Sequence, residues 1–430
     1  MKKLLLITYY FPPCGGVSVQ RWLLLSKYLL AHDWMPTIVT TNNGDYPYTD
    51  YSLINKITPM IKVIRTYTPT FKGLFNFFLG KAVQLPYGSL RTSKEDKISK
   101  RFLYFLRTQL VSPDSRIIWN QFAFHAADQL LRSGVYDIVI TTGPPHSTHL
   151  VGLKLKKKYK INWVADFRDL WSKIYYLGEE KRNIFVKKID QYYERKVVKG
   201  ADQVITVSQG FAQSLGLGQD TVITNAFDPE DFTNTHYQRT NQFRVKFIGA
   251  LTDSRKKEVL EILHWIDELA IEEDYVNIEF SLIGAYDQVP EDLTKRIKKV
   301  NFMNIPFMKH ENTIQACVDS EILLLVINQA AHNQGILPFK LFEYLGARTK
   351  ILGIGPAESD VKQVLTDCHA GSLYDFGQKK EFLLQFKELY LQWQRGGDLK
   401  NQHSMEKYSV QETCRQYNRV LTKLVEERRI

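Results

Sequence analysis

The chain has 430 residues, long for one hydrophobic core and sufficient for two domains of about 200 residues each. With 44% hydrophobic and 24% charged residues and no low-complexity tract, disordered and fibrous classes are excluded. The formal net charge of +11 points to an anionic partner or to a lysine-rich solvated face. No nucleic-acid-binding module accompanies it, so nucleic acid is not expected as that partner.

Four scattered cysteines, Cys14, Cys317, Cys368 and Cys414, form no CxxC pair and read as reduced thiols, as in a cytoplasmic protein. At the start, Met1-Lys2-Lys3 and Leu4-Leu5-Leu6-Ile7 resemble a secretory signal. The apolar stretch is short, however, and Pro12-Pro13 and Gly15-Gly16 follow at once. A buried parallel strand fits better. No apolar run approaches the roughly 20 residues that span a bilayer, so the expected location is cytoplasmic, at most peripheral on a membrane.

Strand-like runs lie at 3–8, 36–40, 61–65, 137–141, 162–165 and 203–206, with helical stretches between them. The first helix, 17–31, repeats Trp22, Leu25, Leu29 and Leu30 on one face. Strand, glycine turn, helix and strand make the opening unit of a doubly wound sheet. Between 71 and 107 cations such as Lys72, Lys81 and Arg101 interleave with Phe75, Phe78 and Phe102, and Lys154 to Lys160 is a second basic run. Basic residues mixed with aromatics suit an anionic membrane surface, and a solvated face is the alternative.

A short run at 221–224 precedes 226–243, which is polar and turn-rich like a connection between domains. The alternation then restarts: strand 244–248, helix 259–270, strand 278–283, helix 291–300, strand 321–327, helix 339–346 and strand 350–353. The expected architecture is therefore α/β, with two Rossmann-like domains facing across a central cleft. They span 1–225 and 244–404, and a terminal helix occupies 405–430.

Candidate site residues gather at the carboxyl ends of strands, where such folds bind ligands. Gly15 and Gly16 free backbone N–H groups ahead of the first helix to face a phosphate or a sugar. The turn Thr141-Thr142-Gly143-Pro144-Pro145-His146 sets His146 at a strand end. His149 makes an HxxH pair with it, without a third metal ligand in view. Asp166-Phe167-Arg168-Asp169 surrounds one guanidinium with two carboxylates, suited to orienting sugar hydroxyls. In the second half, Arg255 and Lys256 stand beside a helix start and could stabilise a diphosphate. Lys340 and Glu343 fall three apart on one helical face. Glu343 could accept from both ribose hydroxyls, or the two could be an ordinary ion pair.

Taken in order, Tyr9-Tyr10-Phe11-Pro12-Pro13-Cys14-Gly15-Gly16 with Arg21, Asp166-Phe167-Arg168-Asp169-Leu170-Trp171, Ala201 to Ser208, Asn225-Ala226-Phe227-Asp228 and Lys340-Leu341-Phe342-Glu343-Tyr344-Leu345 resemble glycosyltransferase family 4, the retaining enzymes of GT-B fold. The resemblance spans nearly the whole chain. It implies an acceptor-binding first domain and a second domain that binds a UDP- or GDP-sugar. The acceptor would be a glycan or lipid-linked glycan of surface polysaccharide. It assigns Gly15 and Gly16 to the loop near the diphosphate, Lys256 to the diphosphate, Glu343 to the ribose, and the backbone around Phe307 to the base.

Asp166, Arg168, Asp169 and His146 would then orient the acceptor and the donor sugar. The chain departs from the family pattern at Gly335, where a glutamate is usual, and at Ala250, where an arginine is usual. No DxD triplet occurs, so neither metal nor other cofactor is expected. An epimerase of the same fold and an inactive binding protein are the other readings.

Overall fold

A computed structural model describes residues 1–46, 48–69, 113–173, 183–251, 253–284, 289–290 and 293–428. The basic aromatic stretch 71–107 lies outside them. Two compact units result: Met1–Thr224 with Gln411–Ile430, and Asn225–Val410.

The first unit contains one parallel sheet of β1 (Lys2–Ile7), β2 (Trp34–Thr41), β3 (Lys62–Thr66), β4 (Ile138–Gly143), β5 (Asn162–Phe167) and β6 (Gln203–Thr206). Its order is β3-β2-β1-β4-β5-β6. Strands β4 and β5 are buried on both faces, as continuous apolar runs covered by helices must be. The second unit repeats the plan with β7 (Phe243–Ile248), β8 (Ile278–Ile283), β9 (Asn301–Ile305), β10 (Ile322–Val326), β11 (Lys350–Ile354) and β12 (Gly371–Tyr374), in the order β12-β11-β10-β7-β8-β9. Counted within each unit, both sheets read 3-2-1-4-5-6, the order of doubly wound dinucleotide folds. The strand direction of winding therefore reverses between β1 and β4 and between β7 and β10, leaving a crevice at those carboxyl ends.

The period of two along each strand decides which core its side chains enter. Ile322, Leu324 and Val326 pack with Phe243, Phe280, Phe382 and Phe386 on one face of the second sheet. Leu323, Leu325 and Ile327 pack with Leu341, Tyr344 and Leu365 on the other. The terminal helix, Val410–Glu427, belongs to the first unit, where Cys414, Tyr417, Leu421 and Val425 form its buried stripe. All four cysteines are free and buried, and burial pushes the thiols of Cys14, Cys317 and Cys414 up to about 12.

Three local readings change. Among the described residues the helix expected over 291–300 is Leu293–Arg296, and it stops at Arg296 because the N–H groups of Lys298, Lys299 and Val300 all donate to the Asp267 carboxylate. That turns the chain into β9, an edge strand whose polar residues hid its pattern. Residues 221–224 form no strand. Ile223 donates to the Thr206 carbonyl, while the carbonyls of Ile223 and Thr224 accept from Arg21. Residues 226–243 pack on the second unit: Phe227 exchanges backbone hydrogen bonds with Tyr408 and Val410.

Candidate functional site

The first crevice, at the ends of β1, β4 and β5, is organised around Asp166, which is 0% exposed. Register sets Thr142 beside it, and Thr142 Oγ1 donates to its Oδ2 at 2.8 Å. Trp22 Nε1 donates to the same oxygen at 2.7 Å. The other oxygen accepts from Tyr417 Oη at 2.7 Å and pairs with Arg21 Nη2 at 3.2 Å. Burial alone would raise the pKa of this carboxyl. The Arg21 charge and the Tyr417 and Trp22 hydrogen bonds outweigh it and hold Asp166 below the usual carboxylate range.

Arg168 clips loops together instead of pairing with either neighbouring carboxylate. Its guanidinium donates to the carbonyls of Gly143 (3.2 Å), Pro144 (2.9 Å) and Ser18. Those bonds join the loops after β4 and β5 to the start of helix Val17–Tyr28. The two-carboxylate cluster expected around Arg168 is thus divided: Asp166 turns inward to Arg21, and Asp169 is left partly exposed. Among the described residues no hydrogen bond restrains the Asp169 carboxyl. Burial raises its pKa to about 6, against the opposing charge of Arg168.

His146 is 6% exposed and lies parallel to Trp171, ring centroids 5.6 Å apart. Burial first, then His149 and Arg168, depress its pKa well below that of an ordinary imidazole, so it is neutral at physiological pH. His149 stacks on Phe167 and shares a 2.9 Å hydrogen bond with Thr141 Oγ1; burial pushes it down to about 3. A Cβ on Gly143 would lie 2.8 Å from His146 Nδ1 and from His149 Nε2, so only glycine fits between the two rings. Neither imidazole can serve as a cation for a diphosphate. His146 offers a neutral donor or acceptor instead.

Gly15 and Gly16 follow β1 at the same crevice. The Tyr48 ring lies across Gly15 so closely that a Cβ would meet it at 2.2 Å, and Gly16 has φ +91°. These features together require glycine and leave the first turn of Val17–Tyr28 without a side-chain cap.

In the second unit, β7 ends at Ile248, Gly249 follows it, and helix Asp253–Glu272 comes next. Arg255 and the partly exposed Lys256 sit in its first turn, Arg255 donating to the Ala250 carbonyl at 3.2 Å. Two cations at the positive end of a helix dipole favour an anion. After β10, Gly335 closes a short turn at Asn333–Gly335, and helix Phe339–Gly346 carries Lys340 and Glu343.

Glu343 is 6% exposed, one oxygen bound to Lys340 and the other 3.8 Å from His310 Nδ1. His310 Nε2 reaches Asp231 Oδ2 at 2.9 Å. The Lys340–Glu343 ion pair therefore forms, within a larger chain of polar contacts. His310 and Asp231 were not singled out in the sequence, because neither has a motif and both lie far from Glu343 along the chain. Phe307, just past β9, is 72% exposed.

No protein-family model matches the sequence, and no curated protein matches it. Solved structures resemble it along their whole length. A glycosyltransferase from Rickettsia africae aligns with TM-score 0.60 and 12% identity over 99% of this chain and 98% of its own. Anabaena HepE in complex with UDP aligns at 0.61 and 13% over 98% and 100%. A Listeria monocytogenes protein described as a UDP-N-acetylglucosamine 2-epimerase aligns at 0.56 and 12% over 99% and 98%. The chain has their two-domain, Rossmann-like GT-B fold.

Two outcomes follow from the electrostatics of the first crevice. Asp166→Ala strands a buried guanidinium and lowers unfolding free energy by about 3–5 kcal/mol in chemical denaturation. Tyr417→Phe, which removes the hydroxyl that donates to Asp166 and accepts from Arg21, costs about 1.5–3 kcal/mol. Asp169 behaves oppositely. Its folded pKa near 6 exceeds its unfolded value, so the fold pays increasingly for ionising it as pH rises towards 6. Asp169→Asn is therefore more stable than the wild type above pH 6, and the difference vanishes below about pH 4. Denaturation midpoints of the two proteins across that range measure it.

Proposed function

We propose that this protein is a retaining glycosyltransferase that moves a sugar from a UDP- or GDP-sugar to a hydroxyl of a glycan or lipid-linked glycan, without a metal. The observation that carries the reading is Glu343: a buried carboxylate after the central strand of the second sheet, held by Lys340 in a fold shared with Anabaena HepE in complex with UDP. An acceptor-only group beside the crevice matches the paired hydroxyls of a ribose. The resemblance to glycosyltransferase family 4 supports the same assignment.

In this reading Arg255 and Lys256, with Lys340 and the helix N-terminus, stabilise the charge that builds on the leaving diphosphate. Gly16, at φ +91°, brings the backbone ahead of the first helix close to the donor, whereas the Gly15 N–H expected to face it donates instead to the Tyr48 carbonyl at 3.0 Å. Gly335 and the backbone at Phe307 flank the sugar and the base. In the first unit, Asp169 and neutral His146 meet the hydroxyls, while Asp166 and Arg168 fix the loops that present them. The acceptor proton passes to the leaving phosphate, so the hydroxyl needs orientation more than a strong base. The second reading, an epimerase, draws on the likeness to the Listeria protein. It differs in product: a rearranged nucleotide sugar instead of a new glycosidic bond.

Thermal unfolding with UDP, GDP, ADP and CDP tests the donor assignment. At 100 times its Kd a ligand adds about 2.7 kcal/mol to native stability. UDP or GDP is expected to raise the Tm, and Glu343→Ala to weaken that nucleotide about 10- to 100-fold. No shift with any of the four at millimolar concentration would overturn both enzyme readings. A shift accompanied only by epimerised nucleotide sugar would replace transfer by epimerisation.

A further inference from the structure

Helix Ile184–Gly200 segregates its side chains by more than hydrophobicity. Its inward stripe, four and three residues apart, is Val186, Asp190, Glu194 and Val197, all buried. Both acidic residues of the helix therefore point into the protein. Glu194 is engaged there: Ser172 N and Oγ donate to it at 2.8 Å each.

Outward, Phe185 is 69% exposed, Ile189 42% and Tyr192 54%, at spacings of four and three that align them in one apolar strip. The cations Lys187, Lys188, Arg195, Lys196 and Lys199 are all exposed as well. At 100° per residue Lys188, Arg195 and Lys199 form a row beside the apolar strip, and Lys196 lies within it, its ammonium 5.4 Å from the Tyr192 ring centroid. No acidic side chain interrupts this face.

Contiguous exposed apolar side chains mark an interaction surface, and here cations line one edge of the strip. The combination is that of a helix lying in a membrane interface, with aromatic and aliphatic side chains among the acyl chains and lysines at the headgroups. We propose that helix Ile184–Gly200 docks this protein on an anionic lipid surface through Phe185, Ile189 and Tyr192, with Lys188, Arg195 and Lys199 on the phosphates. A protein partner would satisfy the apolar strip, but charge complementarity favours lipid: four exposed cations on or beside the strip (Lys187 lies on the far side) and no exposed acid on the helix match a uniformly negative plane. This surface uses none of the residues assigned to the nucleotide, and its test needs no nucleotide.

Flotation of the full chain with vesicles of phosphatidylglycerol and phosphatidylcholine, against phosphatidylcholine alone, provides that test. The wild type is expected to float only with the anionic vesicles and to be released by high salt. Phe185→Ser and Ile189→Ser should each weaken partitioning about tenfold or more. Lys188→Ala with Arg195→Ala should weaken it roughly 20- to 30-fold, about fivefold per cation. All of these positions are exposed, so the Tm should stay at the wild-type value.

Failure of the wild type to float on anionic vesicles would overturn the proposal. So would flotation unchanged by every substitution, which would move the contact to another surface. A wild-type dimer in light scattering that Phe185→Ser dissociates would assign the face to a second copy. A marked fall in Tm with Phe185→Ser would assign it to the chain's own packing.

Discussion

An ionised carboxylate with no exposure to water is tolerable only where donors surround it, and Asp166 has four. They come from helix Val17–Tyr28, from β4 and from the terminal helix. The pair with Arg21 extends further, since the same guanidinium satisfies the carbonyls of Ile223 and Thr224. One charge pair thereby fixes the first helix, the sheet, the end of the unit's main chain segment and the returning C-terminal helix in a single arrangement. The crevice above it inherits that rigidity. Arg168 adds a second set of bonds, to carbonyls alone, and holds the loops after β4 and β5 to the helix start.

The consequence is a division of labour within a short motif. In Asp166-Phe167-Arg168-Asp169 the first carboxylate is consumed by the fold, and the guanidinium is consumed by loop carbonyls. The last carboxyl remains without a hydrogen bond among the described residues, desolvated enough to hold its proton to about pH 6. Phe167 supplies the floor on which His149 and His146 stack. Groups left unsatisfied beside such a rigid frame are the ones free to meet a ligand.

The second unit uses charge differently. Among the described residues no guanidinium is buried at its central crevice. Cations stand at the start of helix Asp253–Glu272, and a buried acid is tethered on helix Phe339–Gly346. The buried Arg244–Glu321 pair lies at the opposite, amino-terminal end of β7 and β10, where it braces strands away from the crevice. Cations at a helix N-terminus make that end of the crevice electropositive, while the carboxylate near it is shielded by its lysine.

Much of this was legible along the chain. Parallel strands buried on both faces announce themselves as apolar runs, and the glycine turns mark where each half begins. Those signals are local, so the sequence by itself determined the two-fold α/β plan, most strand positions and the loops that carry the candidate residues. Edge strands β9 and β12 escaped because one exposed face removes the apolar run. The helix over 291–300 was cut short by a carboxylate on another helix, Asp267, which no local pattern reports.

Partnerships were decided only by the tertiary structure. Asp166 and Tyr417 are 251 residues apart, and His310 meets Asp231 across 79. Sequence spacing offered Arg168 as the natural neighbour of Asp166; packing gave that place to Arg21. A charge chooses its partner by distance and by what burial demands, and both are properties of the folded chain.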